Sequence, residues 1–522
     1  MPFRKKRYSK YLILLLVFLM LVAAALPGCS SQKEDPMADV RSYRDLNDPS
    51  YTIGVINGTI DGPVTEKLLP KAKVAYFSTL VDNVTALESG KADAIVDDDV
   101  AFIYYNVQAG EKLRILDDYM EPFEFGYIFP KTDEGRKLRD QVSDFTNRLS
   151  ADGTLDEIRK NWISSEGSAE MTVDYASLPA ENGTIRMATT GTSPPFSYIE
   201  NGAAVGYDID VISRFCKEYG YALEVNDMNF DGIIPSVSSG KCDLGGSALT
   251  ITDERKESVE FSAPYYSGGL AAAVLSPKAA GGSSLFGRLR ESFAKTFIKE
   301  GRYRLFVSGI LTTLLITILS ALFGTLLGFL VYLLCRNGNR FANAVTKVCV
   351  RLLQMLPVVV LLMILYYIVF SSAPVSGTFV SVIAFTLTFA ASVFGNLTSS
   401  VSAIDYGQTE AAYALGFSSL RTFFKVVLPQ ALAYFLPAYK SDLVALIKAT
   451  AVVGYIAVQD LTRTGDIVRS RTYEAFFPLI AVAVLYLIMA LILIALVDRL
   501  EIRTDPKRRK REYILKGVKT DD

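Results

Sequence analysis

The residues able to do covalent or metal chemistry are few. The 522-residue chain has no histidine and five cysteines (Cys29, Cys216, Cys242, Cys335 and Cys349), with no Cys-x-x-Cys among them. With no histidine and no cysteines at metal-ligand spacing, neither a tetrahedral zinc centre nor a histidine-assisted nucleophile is expected, and so no metal, no cofactor and no catalytic set. No Gly-x-x-x-x-Gly-Lys-Ser/Thr run occurs, so the chain has no phosphate loop with which to use ATP itself. What remains is charge at particular places: Asp97-Asp98-Asp99 in IVDDDV, Arg255 in LTITDER, and Lys440, Asp442 and Lys448 inside an apolar run. On pattern alone the Asp triplet is a solvated turn or a cation site, and Arg255 a solvated surface residue. Charges within an apolar run face a bundle interior or a cavity. Cys216 and Cys242 are either a disulfide or two buried thiols.

The elements that must position these groups differ between the two parts of the chain. From Ser284 onward there are 26 Lys+Arg against 14 Asp+Glu, and before it 28 against 41. Half of all residues are hydrophobic. An acidic front and a basic, apolar back imply a soluble head on a membrane body, and nothing points to nucleic acid. The start, FRKKRYSK followed by YLILLLVFLMLVAAAL and LPGC, has the basic and apolar regions of a secretory signal. The LPGCSS ending resembles a bacterial lipoprotein signal, which implies lipidation at Cys29. An uncleaved anchor is the alternative, and both put the head outside the cytoplasm. The segment 1–29 is therefore leader or anchor.

Five apolar runs in the back are long enough to span, at about 20 residues each: 307–335, 350–370, 378–398, 436–458 and 476–497. With the head outside, five crossings put the C-terminus inside, where the basic tail 501–522 suits a cytoplasmic flank. Two basic stretches then fall outside. Residues 284–304 carry Leu289, Phe293 and Phe297 at helical spacing and read as an amphipathic segment lying on membrane lipid. For RTGDIVRSR, Arg463–Arg471, the sequence offers no such reason. Between the third and fourth runs, Gly407–Leu432 is too polar to span. TEAAYAL forms a helix that Gly416 ends, SSLRTFFKVV begins another with Ser418 or Ser419 as cap, and Pro429 stops or kinks it. On pattern alone a surface or re-entrant loop is the equal alternative.

In the head, TIRMAT, ALEVNDM and CDLGGSAL read as strands alternating with the helices of DIDVISRFCKEYG and FDGIIPSVSSG. That is an α/β layout around a parallel sheet, with ligands at the C-terminal ends of the strands.

Two sets of motifs carry a resemblance. Glu410-Ala411-Ala412, Gly416 and Leu428-Pro429 match the EAA loop of ABC-importer permeases, in the version of the polar amino-acid subfamily, and about 300–500 resembles that permease. PPFSY, VGYDIDV, FDGIIPSVSSGKCDL and LTITDERKESVEFSAPYY resemble the first lobe of polar amino-acid binding proteins. Residues 41–166, with ALESGKADAIVDDDVAFIYY and the closing helix LSADGTLDEIRKNWI, resemble the rest of the same fold. The resemblance implies a two-lobed α/β periplasmic-binding-protein-like head (30–283) and an all-α transmembrane permease (305–500) with five spans and its loop at 407–432.

The two pieces of the head stand in reverse order, and nothing is duplicated. A circular permutation follows, with 164–183 joining the old ends. Lobe two is then 41–127 plus 270–277, and lobe one 128–166 plus 184–268. The strand Leu270–Leu275 should pair in one sheet with Thr52–Ile56. Tandem half-domains and a swap between two chains are the other arrangements.

By the same resemblance Arg255 clamps an amino-acid carboxylate, Asp98 pairs its ammonium, Phe230 packs on its side chain, and Thr59, Thr190, Ser247 and Thr250 complete the site. Thr190 and Ser193 replace the acidic and aromatic residues of members that bind cationic side chains, which favours a neutral ligand. Glu410, Ala411, Ala412, Gly416, Leu428 and Pro429 would dock a separate ATPase subunit. A second copy of the chain would complete the permease. The function implied is import of an amino acid by a multi-pass component of the cell membrane. The rivals are a ligand-gated channel with the same head and an extracytoplasmic dehydratase-like enzyme.

Overall fold

The computed structural model describes residues 37–504 except 38, 164–168, 277–289, 337–339, 372, 374 and 475. The leader with Cys29, Leu289 and the 505–522 part of the basic tail lie outside these residues.

Two sheets organise the head. The first runs Lys73–Phe77, Thr52–Ile56, Ala94–Asp98, Tyr266–Leu275, Leu113–Ile115, and Glu121–Phe125 pairs with the front of Tyr266–Leu275. Its first three strands are parallel, and Tyr266–Leu275 is antiparallel to every neighbour. Leu270 to Val274 are all buried, as a central strand covered on both faces requires. This strand shares the sheet with Thr52–Ile56 but does not touch it, contrary to the direct pairing expected. Both edges of Thr52–Ile56 are taken, by Lys73–Phe77 and Ala94–Asp98, so the late strand docks on Ala94–Asp98 instead.

The second sheet runs Ala222–Asp227, Thr184–Thr189, Leu244–Gly245, Ile128–Phe129, Glu260–Phe261. It is mixed rather than parallel. Ile128–Phe129 is antiparallel to both neighbours, because it and Glu260–Phe261 belong to segments crossing between the lobes in opposite directions. Each of these two large sheets thus takes strands from both sides of 164–183, whereas a small three-stranded sheet of Thr192–Ser193, Ser197–Glu200 and Ala203–Val205 is local.

The Asp133–Ala151 and Thr154–Ile163 helices close lobe one, the lobe built on this second sheet. Trp162 is fully buried there and donates from Nε1 to Asp210 Oδ2 at 3.1 Å, with its ring edge-on to Tyr198. Residues 169–183 are mostly exposed, yet pinned: Thr172 donates to Asp210, Tyr175 Oη accepts from the Ala204 amide, and Val173 is buried. Cys216 and Cys242 are separate buried thiols.

Among the described residues three helices are long and apolar enough to cross a membrane: Tyr303–Arg336, Gly377–Ser402 and Phe477–Ile502. Tyr303–Arg336 and Gly377–Ser402 pack closely, and a Cβ on Gly328 would stand 2.6 Å from Ala390 O, so a small residue is needed there. Two further candidate spans among the described residues are bent pairs of helices. The expected straight span 350–370 is broken. Asn343–Met355 turns by 106° into Val358–Val369 at Pro357, and the second piece, about 18 Å long, is too short to span alone. All but the last two residues of the expected 436–458 span lie in a longer path, Ser419–Ile456, bent by 57° before Leu461–Thr472. Pro429 does not stop it. Pro429 occupies the first turn of Leu428–Ala449, where a missing amide is harmless, after a π turn at Phe423–Val427.

Phe293 and Phe297 approach Phe477, and Phe297 also packs on Phe306, so the amphipathic segment leans on the bundle. The head sits at the end of the bundle where Gly377–Ser402 begins. The Tyr406–Ala414 helix follows the other end of that 26-residue helix, about 40 Å away.

Candidate functional site

A cavity of about 210 Å³ lies between the lobes, and it is lined by Thr59, Asp98, Thr190, Phe230, Ser247, Thr250 and Arg255 together. These seven come from five separate stretches of sequence. Thr252 caps the short Asp253–Ser258 helix by accepting from the Arg255 amide, which fixes where the Arg255 side chain leaves the backbone. Its guanidinium donates to Thr250 O at 2.9 Å and across the cleft to Gly58 O at 3.0 Å, over the Phe230 ring. The tight turn at Gly58 (φ +80) admits no side chain: a Cβ would meet Asp231 Oδ1 at 2.2 Å.

From the first sheet, Ala94–Asp98 delivers Asp97 and Asp98 at its C-terminal end. Asp61, at the start of the Asp61–Leu68 helix, joins them in the cavity wall. The residue motifs did not single out Asp61; its signal was a lone acid two residues beyond Thr59 in a helix start. Thr59 is turned to this local work, donating to Ile56 O at 2.8 Å and accepting from the Asp61 amide. Burial pushes the Asp61 carboxyl up to about 7, against the pull of the Thr59 and Ile56 hydrogen bonds and of Arg255. Burial and then neighbouring carboxylates raise Asp97 and Asp98 well above the usual range. Burial lowers Arg255, and Asp61 offsets part of that. Asp61, Asp97 and Asp98 of one lobe and the Arg255 guanidinium of the other thus face one cavity. A small molecule bearing both a carboxylate and a cation matches that set.

On the other wall, Ser247 and Ser197 hydroxyls lie 2.8 Å apart, and Ser197 donates to Thr190 O. The Thr190 hydroxyl is engaged from outside the head: Arg463 Nη2 donates to it at 2.9 Å. Tyr455, Arg463, Asp466, Ser470 and Tyr473, all from the helical part, also line the cavity. None of these five was a candidate, because Tyr455 falls within the apolar run 436–458 and the other four in the stretch between that run and the next.

At the far end of the bundle, Asp405 caps the Tyr406–Ala414 helix and Gly416 (φ 79) turns the chain into the Ser419–Thr422 helix, capped by Ser418. Glu410, Ala411, Gly416 and Pro429 are exposed, Leu428 is half-buried and Ala412 is buried against the bundle. These residues share no surface with the cleft.

Residues 185–415 match the family of bacterial extracellular solute-binding proteins, family 3. Over 196 residues the chain is 33% identical to a putative glutamine transport system permease protein of Rickettsia conorii, covering 36% of this chain and 87% of that protein. It is 31% identical over 211 residues to an arginine ABC transporter permease protein of Haemophilus influenzae, covering 38% of this chain and 94% of that one. A probable histidine-binding protein of Campylobacter jejuni is 39% identical over 83 residues, which is 16% of this chain and 32% of that protein. Among solved structures, an amino acid ABC transporter crystallised with histidines is 27% identical, with a TM-score of 0.37, over 43% of this chain and all of that one. With a solute-binding head and a permease bundle fused in one polypeptide, the protein belongs to the permease family of polar amino-acid ABC transporters.

Proposed function

We propose that the head captures an amino acid outside the cytoplasm and hands it to the bundle of the same chain, powered by a separate ATPase subunit. The observation that carries this reading is the cleft, where Arg255 of one lobe faces Asp61, Asp97 and Asp98 of the other in a chain of the amino-acid transporter family. Arg255 takes the ligand carboxylate, with Thr250 beside it. Asp98 takes the ammonium, and Phe230 packs on the side chain. Ser247 and Thr190 shape the far wall. A ligand held from both lobes favours their closed arrangement.

The order of segments supports a permuted binding protein: each of the two large sheets needs strands from both sides of 164–183, so neither piece can close its core alone. The exposed Glu410, Ala411 and Gly416, on the end away from the head, suit an ATPase groove on the cytoplasmic side. That side then also holds the C-terminus, and the head lies outside. A permease of five crossings is half a pathway, and a second copy of the chain completes it. The lipid-facing residues are those of the exposed apolar helix faces, Leu311, Leu322 and Leu326 among them.

The test is calorimetry of the purified full chain against the twenty amino acids. One or a few are expected to bind, and Arg255→Ala is expected to weaken binding by about 100-fold or more, since a buried carboxylate loses its partner. Unchanged affinity in Arg255→Ala would refute the assignment of the cleft.

A further inference from the structure

The Leu461–Thr472 helix carries the basic stretch for which the sequence offered no reason, and it stands between the two lobes of the head. One side of it, Leu461 and Val468, packs into the bundle with Phe306, Ile447 and Val482. The other side, at helical spacing, presents Arg463, Ile467 and Ser470 to the head, and Ile467 is part of the head's own core.

Its arginines reach both lobes. Arg463, itself 4% exposed, pairs with Asp227 of the Ala222–Asp227 strand, and also donates to Met228 O at 2.7 Å and Asn229 Oδ1 at 3.2 Å. Gln459 adds a second donor to Asp227 at 3.0 Å. Arg471 pairs with Glu200 of the same lobe, lies over the Tyr198 ring, and points Nη1 at Tyr104 Oη, 3.4 Å away, on the opposite lobe. Arg469 pairs with Asp82, which belongs to the Leu80–Glu88 helix of that opposite lobe. Tyr473 then packs edge-on against Tyr105 there, 4.9 Å between ring centres.

We infer that this helix positions the head for capture and release: by holding Asp227 and Glu200 of one lobe and Asp82 of the other on a single rigid rod, it sets the spacing of the lobes around the amino acid. Arg469 is the positioning residue for the lobe that carries Asp61 and Asp98. The inference rests on reading the head as the binding part of the transporter, and it adds that the permease part controls the geometry of the cleft. An isolated head lacks the rod, so its lobes move independently of the bundle. In the full chain, a movement of the Leu461–Thr472 helix within the bundle moves both walls of the cleft.

The test needs no ligand, so its outcome is separate from whether an amino acid binds. Spin labels are placed through encoded non-natural residues at Gln108 and Lys217, both exposed and on opposite lobes, in the full chain in lipid nanodiscs. The distance distribution between them is measured by pulsed electron resonance. A narrow distribution is expected for the parent chain, at least two-fold broader in Arg469→Ala. Asp82→Asn breaks the same arm from the lobe side and is expected to broaden it equally. The charge-exchanged pair Arg469→Asp with Asp82→Arg is expected to restore the narrow distribution, which lost packing alone would not do. An unchanged width in Arg469→Ala and Asp82→Asn would overturn the inference. So would an exchanged pair as broad as the single variants.

Discussion

At the head end of the bundle, Arg463, Ile467 and Arg469 are 4%, 2% and 8% exposed, although they sit on a polar helix between spans. At the opposite end, Tyr406, Leu415 and Leu420 are 70%, 78% and 60% exposed, although they are apolar. Glu410 makes no salt bridge among the described residues, whereas Arg463, Arg469 and Arg471 are all paired with the head. The two ends are built from similar short helices joined by glycine or αL turns. The difference is that one end finds its partner within the chain, and the other presents a small-residue, apolar surface that suits a partner on another chain.

Placing a charge on the open end should separate the two most sharply. Ala411→Asp is expected to lower amino-acid uptake by about 100-fold while binding by the cleft stays the same, because an exposed small residue there touches neither the bundle core nor the head. Uptake at the parent rate would show that this surface has no partner. Cutting the closed end should instead cost stability. Arg463→Met leaves Asp227 buried without its cation, and about 3 kcal/mol of head-to-bundle docking should be lost. Limited proteolysis of the full chain would report it as faster separation of the head from the helical part. Equal cleavage rates would show that the pair contributes nothing to docking.

The smallest effect concerns the cleft between those ends. The Asp61 carboxyl, faced by Arg255, Asp97, Asp98 and Thr59, is raised to about 7 by its burial. The folded chain then keeps a proton there that the unfolded chain has already lost, so stability falls as pH rises from about 4 to 7. Asp61→Asn is expected to flatten that part of a stability profile measured by thermal unfolding. A slope identical to the parent's would place the titration on Asp97 and Asp98 instead.

Much of this molecule was legible in its sequence because the informative runs are local. The Tyr207–Tyr219 helix ends at Gly220 (φ 69), the Tyr406–Ala414 helix is followed by Gly416, and Ser418 caps the next, all as short-range residue chemistry dictates. The seven cleft residues converge on one cavity although no sequence spacing links Asp98 to Arg255. Here motif resemblance supplied what periodicity could not. The misses are long-range. An apolar run such as 350–370 looks the same whether straight or folded back at Pro357, because composition carries no angle. The neighbour of Leu270–Leu275 depended on which strand edge was already occupied. The arginines of Leu461–Thr472 were unreadable for the same reason, since their partners Asp82, Glu200 and Asp227 lie hundreds of residues earlier.

The comparison of the two ends comes to a single experiment: uptake of each of the twenty radiolabelled amino acids by cells that produce the full chain with an ATPase subunit. The label that enters should be the one the cleft binds. Its entry should stop when ATP is depleted and persist when the membrane potential alone is collapsed, and Arg255→Ala should abolish it. Entry that survives Arg255→Ala, or that follows the ion gradient rather than ATP, would contradict import through this head and favour a ligand-gated channel.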